Sequence, residues 1–181
     1  MSKANESEFG LDPRKPHLRS GRWENVDSLD NLNMARFMEV LNHEHHVGLS
    51  NRSSILEIGL GEARLFKRLK AEGYDVTGVE ARRREEHTPD LPIVHIRIEE
   101  MPFEGNQGTF EMVIADSVFD SRVYDQDQQL MLSRVVDALS SHGIFVSDRP
   151  ISIDYEAAGL RRLYLPETYE MKIFVYQKTT L

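Results

Sequence analysis

The sequence contains no cysteine. Disulfides, thiol nucleophiles, zinc thiolates and iron–sulfur clusters are therefore excluded, and a reducing compartment is the expectation. No apolar run approaches the roughly 20 residues that would span a bilayer. The leading stretch Met1–Trp23 lacks the apolar centre of a secretory signal, so a cytoplasmic protein without a membrane anchor is expected. Positive charge is also in deficit. Lys and Arg number 22 against 30 Asp and Glu, a net charge of −8, which repels phosphate backbones and disfavours a nucleic-acid partner. The local exception, Arg14, Lys15, Arg19 and Arg22 beside His17, reads as a solvated arm. There is one Trp, at position 23.

What is present suits one domain. A chain of 181 residues, 40% hydrophobic and 29% charged, can close a core without a staple. Residues 1–26 carry Gly10, Pro13, Pro16 and Gly21 and no apolar period, which predicts an extended arm; residues 27–181 are expected to form the domain. From Ser28 to Val47 apolar residues recur at helical spacing, with Asp27 or Ser28 as cap and Gly48 as stop. Strands are then expected at 54–58, 75–79, 93–96, 110–115 and 143–147, with helices at 63–72 and 126–139 between them. Alternating strands and helices imply crossovers and a mostly parallel sheet covered on both faces. The tail segments 160–165 and 169–177 have no helix between them, so they should pair antiparallel. The fold class is α/β, a three-layer Rossmann-like domain with an antiparallel last strand.

The chemistry is concentrated in Ile55-Leu56-Glu57-Ile58-Gly59-Leu60-Gly61-Glu62-Ala63. A Gly-rich turn between strand and helix lets the backbone approach a ligand, and the helix start offers free N–H groups. Val76-Thr77-Gly78-Val79-Glu80 then ends the second strand in a carboxylate, placed to take both hydroxyls of a ribose. A dinucleotide fingerprint would need a third glycine where Arg64 stands. Glu57, two residues before the first glycine, would repel a pyrophosphate but can hold an aminoacyl group through water or backbone. A nucleoside bearing a sulfonium amino acid fits better than NAD or FAD.

This segment resembles motif I of the class I S-adenosylmethionine-dependent methyltransferases. Further matches follow in order: Glu80 at the end of the second strand, Ile96–Phe103 with Glu99-Glu100-Met101-Pro102-Phe103, Phe110–Asp116 as the fourth strand, and Leu139–Val146 as the turn into the fifth. The resemblance implies a minimal version of that fold with S-adenosyl-L-methionine as cofactor. It implies cofactor contacts from Glu57, Gly59, Leu60, Gly61, Ala63, Glu80, Ala81, Ile98, Glu99, Asp116 and Ser117, and Asp116 as the catalytic candidate. The implied activity is methyl transfer to a small-molecule acceptor; a protein partner or a second copy of the chain is left open. Three departures stand out. Ala63 occupies the third glycine position, Arg97 stands where the family has an acid facing adenine, and Asp116-Ser117-Val118-Phe119 lacks the motif that clamps base amino groups. They motivate the alternative of a non-catalytic protein of this fold, acting as a binding or assembly partner. The link 81–92 holds at most a stub of helix.

Other features have plain readings. In His43-Glu44-His45-His46 only His43 and His46 share a helix face, so no metal is expected. Arg82-Arg83-Arg84 reads as a solvated turn, and Tyr155, Tyr164 and Tyr169 as packing residues.

Overall fold

The computed structural model describes residues 29–101, 108–119, 125–166 and 173–179. The expected arm, Trp23 and Tyr169 lie outside them, as do Pro102 and Phe103. The first helix begins later than its apolar period suggests. Leu29–Asn31 forms a short 3-10 turn, and α1 runs Met34–His45. The reason is local: the Asn33 side chain accepts from the Arg36 N–H and caps the helix there. The stop is His46 in the left-handed region at φ 53, two residues before Gly48.

β1 (Ser54–Ile58), β2 (Asp75–Val79) and β4 (Phe110–Ala115) fall where their apolar runs place them. α2 is Arg64–Ala71 and α3 is Asp125–Ala138. β3 is only Ile93–Val94, shorter than expected, because its ladder with Gly78 and Val79 ends there. β5 is longer, Leu139–Ser147: past an irregularity between Phe110 and Met112 the chain still pairs Leu139 with Phe110. β6 (Leu160–Leu163) and β7 (Phe174–Lys178) close the sheet. The link 81–92 is made of turns.

The seven strands lie in the order β3-β2-β1-β4-β5-β7-β6. β7 runs antiparallel to both β5 and β6, and the remaining ladders are parallel. The period of two divides the strand residues between two cores. Ile55, Val76, Met112, Ile114, Ile144 and Val146 pack under α1 and α2 with Phe37, Leu41, Leu65 and Phe66. Leu56, Ile58, Val79, Val113, Ala115 and Phe145 pack under α3 with Leu132 and Val135. Each Val, Leu, Ile, Met or Phe among them stabilises the fold by about 1.5–3 kcal/mol on burial. Helices therefore cover both faces, which is why β1 and β4 read as largely apolar on both sides. No helix among the described residues is long and apolar enough to cross a membrane.

Strand order reverses between β1 and β4. In open sheets of this kind the crevice outside the carboxyl ends at that reversal is where ligands enter.

Candidate functional site

The loop after β1 lies at this crevice. Gly59 donates to the Val79 carbonyl, and Asp116 donates to that of Ile58, so the ends of β1, β2 and β4 are held together. Gly59 sits at φ +79; a β-carbon there would stand 2.7 Å from the Asp116 carbonyl oxygen and 2.5 Å from Val118 Cγ2. Only glycine allows that approach. Gly61, at φ +54, faces open space: no atom lies within 4 Å of the position its β-carbon would take. Ala63 is fully buried at φ 58 and precedes α2 without a side-chain cap. The third position of the turn therefore demands a left-handed residue, and a methyl group is tolerated there. Leu60 is buried against Gly78.

Two groups grip the peptide at Gly61. The Glu80 carboxylate accepts from the Gly61 N–H at 3.0 Å and from the Arg82 N–H at 3.0 Å. On the other side His87 Nε2 lies 2.9 Å from the Gly61 carbonyl oxygen. A carbonyl only accepts, so Nε2 must carry the proton. The His87 ring stacks on His95 with centroids 5.2 Å apart. No sequence pattern pointed to these two histidines, because they meet only when the 81–92 link folds back over the turn.

Acids gather on the face toward α1 and α2. Glu57 alternates onto it from β1, and Asp116 and Asp148 continue it past the ends of β4 and β5. Glu57 is 1% exposed, and its Oε2 has no hydrogen-bond partner among the described residues. Burial, then the charges of Asp116 and Asp30, push its pKa well above the ordinary glutamate value, against Arg68. Burial, then Asp148, pushes Asp116 up to about 6. Asp148 is raised as well, chiefly by burial. Ser117, at φ 55, links the pair: its N–H donates to Asp148 Oδ1 at 2.8 Å, and its hydroxyl lies 3.2 Å from both Asp116 Oδ1 and Asp148 Oδ2. Arg149 Nε lies 3.3 Å from Asp148 Oδ2.

Asp148 was not among the expected residues, although a signal existed. It follows the β5 run as Asp116 follows β4, and Ala115 pairs with Ser147.

The remaining expected positions follow β2 and β3. Ala81 is exposed, Ile98 is buried and Glu99 is half-buried. Arg97 precedes the Ile98–Glu100 3-10 turn, and its guanidinium turns onto Glu99 at 3.4 Å. His43 contacts Glu44 and His45 contacts the Tyr164 carbonyl, so this run does not converge. Tyr155 packs edge-on against Tyr176, while Tyr164 is exposed under Arg162. Arg82, Arg83 and Arg84 are exposed.

The buried Glu57 carries a pH signature. Its folded pKa is raised, so above about 4.5 the unfolded chain loses this proton while the folded chain keeps it. Stability is then lost as pH rises from that value through the folded pKa. Glu57→Gln removes the loss. The variant is expected to melt higher than the parent at pH 7, with the gap closing near pH 4, as followed by thermal unfolding across pH. An equal or lower melting temperature at pH 7 would mean the carboxyl is not held against ionisation.

No family model and no curated protein matches the chain. Solved structures do match. The 1,6-didemethyltoxoflavin-N1-methyltransferase of Burkholderia thailandensis, solved with 1,6-didemethyltoxoflavin and S-adenosylhomocysteine, superposes with TM-score 0.57 at 17% identity over 81% of this chain and 78% of its own. An S-adenosyl-L-methionine methyl transferase from Silicibacter pomeroyi gives 0.57 at 23% identity over 80% and 93%. A TehB-like SAM-dependent methyltransferase from Corynebacterium glutamicum gives 0.57 at 16% identity over 82% and 97%.

Proposed function

Since the chain carries the fold of the class I S-adenosylmethionine-dependent methyltransferases, we propose that it transfers a methyl group from S-adenosyl-L-methionine to a small-molecule acceptor. The observation that carries this reading is the Gly61 cradle, open at its glycine and gripped by the Glu80 carboxylate. Each oxygen of Glu80 accepts one backbone N–H, and the remaining lone pairs suit the two hydroxyls of a ribose.

The residues fit the cofactor. Glu57, with its orphaned Oε2, and the neighbouring Asp116 suit a cationic amino-acid end, whose charge would draw the proton off Glu57. Leu60, Ala81, Ile98 and Glu99 would border the nucleoside, and Gly59, Ala63 and Ser117 shape the turn and the strand end beside it. The cofactor, when bound, supplies a methyl group already activated by its sulfonium. The protein has to hold donor and acceptor in line and receive the acceptor's proton. Asp116, at the end of β4, is the group placed for the second task. The lack of cysteine and the acidic surface support a cytoplasmic setting and a small acceptor.

Binding tests the reading first. S-adenosylhomocysteine at 100 times its Kd is expected to stabilise the folded state by about 2.7 kcal/mol and raise its melting temperature, while NAD leaves it unchanged. No shift at millimolar S-adenosylhomocysteine would sink the reading and leave a protein of this fold that acts without the cofactor.

A further inference from the structure

A glycine explores its two soft dihedrals widely, so Gly61 owes its conformation to its neighbours. The peptide before it is held by its N–H, which donates to Glu80 Oε2 at 3.0 Å. The peptide after it is held by its carbonyl, which accepts from His87 Nε2 at 2.9 Å. With one partner on each side of the α-carbon, both dihedrals are pinned. The angle φ rests at +54, with open space beside the α-carbon. Glu80 also faces the ribose in the reading above, so the ligand shares its lone pairs. His87 gives its ring N–H to the backbone.

The link 81–92 is built around that contact. His87 is 7% exposed, and every other residue from Ala81 to Asp90 is exposed. Turns flank it on both sides: the His87 N–H donates to the Arg84 carbonyl, and the Leu91 N–H donates to the Thr88 carbonyl. His95, just past β3, stacks on the ring at an interplanar angle of 23° and sets its plane. The Nδ1 atom of His87 is buried with no partner among the described residues. An apolar ring would fill the same space without an orphaned nitrogen, so packing does not account for a histidine here. The grip on the Gly61 carbonyl does.

We propose that His87 is a positioning residue for the cofactor. By holding the Gly61 carbonyl it keeps the turn after β1 in the open form that S-adenosylmethionine enters, and the link 81–92 acts as a clasp on that turn. The inference rests on the methyl-transfer reading and deepens its binding step. His87 meets neither cofactor nor acceptor in this scheme. A cradle that is already open binds without first having to be ordered. Once the carbonyl is released, Gly61 samples other backbone forms, and the apparent affinity falls with the fraction of molecules that keep the open one.

Three substitutions separate the grip from the packing. His87→Phe keeps a ring against His95 and has no donor. His87→Asn carries its amide near the place of Nδ1, short of the carbonyl. His87→Gln carries its amide near the place of Nε2 and can donate. In titration calorimetry S-adenosylhomocysteine is expected to bind His87→Phe and His87→Asn about ten-fold more weakly than the parent, as for the loss of one hydrogen bond, and His87→Gln within about three-fold. Parental affinity in His87→Phe and His87→Asn would overturn the proposal, as would a His87→Gln no tighter than His87→Asn. The last two carry the contrast even where His87→Phe does not fold. Hydrogen exchange at the Gly61 amide of the cofactor-free proteins is expected to quicken about ten-fold in His87→Asn and to return near the parental rate in His87→Gln. An unchanged rate in His87→Asn would overturn the clasp. That measurement needs no cofactor, so it judges the clasp separately, whereas a parent that fails to bind S-adenosylhomocysteine counts against the methyl-transfer reading.

Discussion

Gly59→Ala is expected to cost the fold about 2–5 kcal/mol: roughly 1–2 for a left-handed residue bearing a β-carbon and about 1–3 for forcing atoms into a packed site. The new methyl group would meet the Asp116 carbonyl at 2.7 Å, and that backbone is fixed by its own N–H bonded to Ile58. Relief would have to come from parting the ends of β1 and β4, where Glu57 and Asp116 belong to one site. At roughly 2–4 °C per kcal/mol for a chain of this size, melting should fall by about 4–20 °C. Gly61→Ala is the contrast. It meets no atom within 4 Å and bears only the left-handed strain. It should melt within a few degrees of the parent yet bind S-adenosylhomocysteine poorly, because its methyl group fills the cradle. Thermal unfolding with and without the ligand separates the two. If Gly59→Ala melts within about 2 °C of the parent, the close approach of the two strand ends does not hold the site together.

Glu80→Ala should weaken S-adenosylhomocysteine about ten- to hundred-fold, the effect of losing charged hydrogen bonds of roughly 1.5–3 kcal/mol. The structure makes the expected loss broader than a missing ribose contact. The carboxylate also orders the cradle by accepting from Gly61 and Arg82, so both backbone donors would lose their partner. Glu80→Gln keeps one oxygen acceptor and should recover part of the affinity. Glu80 is half-buried at the rim, so the unliganded melting temperature should drop little in either variant. Titration calorimetry on the three proteins decides it: equal affinity in all three would remove Glu80 from the site.

How far the sequence reaches depends on the range of the interaction concerned. β1, β2 and β4 were legible to the residue because each is a short β-type segment closed by its own turn signal. The ends of β3 and β5 were not. β3 stops where its neighbour's ladder stops, and β5 starts at Leu139 because Phe110 waits opposite it. The start of α1 was misplaced for a local reason: the Asn33 side chain caps the helix by accepting from the Arg36 N–H.

The site divides in the same way. Sequence alone placed Gly59, Gly61, Glu57, Glu80 and Asp116 at strand ends, since a strand followed by a glycine turn or an acid is a local pattern. Tertiary structure decided what these residues meet. It set Asp148 beside Asp116 through the pairing of β4 with β5, turned Arg97 onto Glu99, and brought His87 to the carbonyl of Gly61, 26 positions earlier in the chain. It also buried Glu57 among like charges, which raises its proton affinity in a way no reading of neighbours along the chain contains. Propensity and alternation act between residues a few positions apart. Charge, desolvation and hydrogen-bond partnership act across space, and only the closed sheet defines those distances.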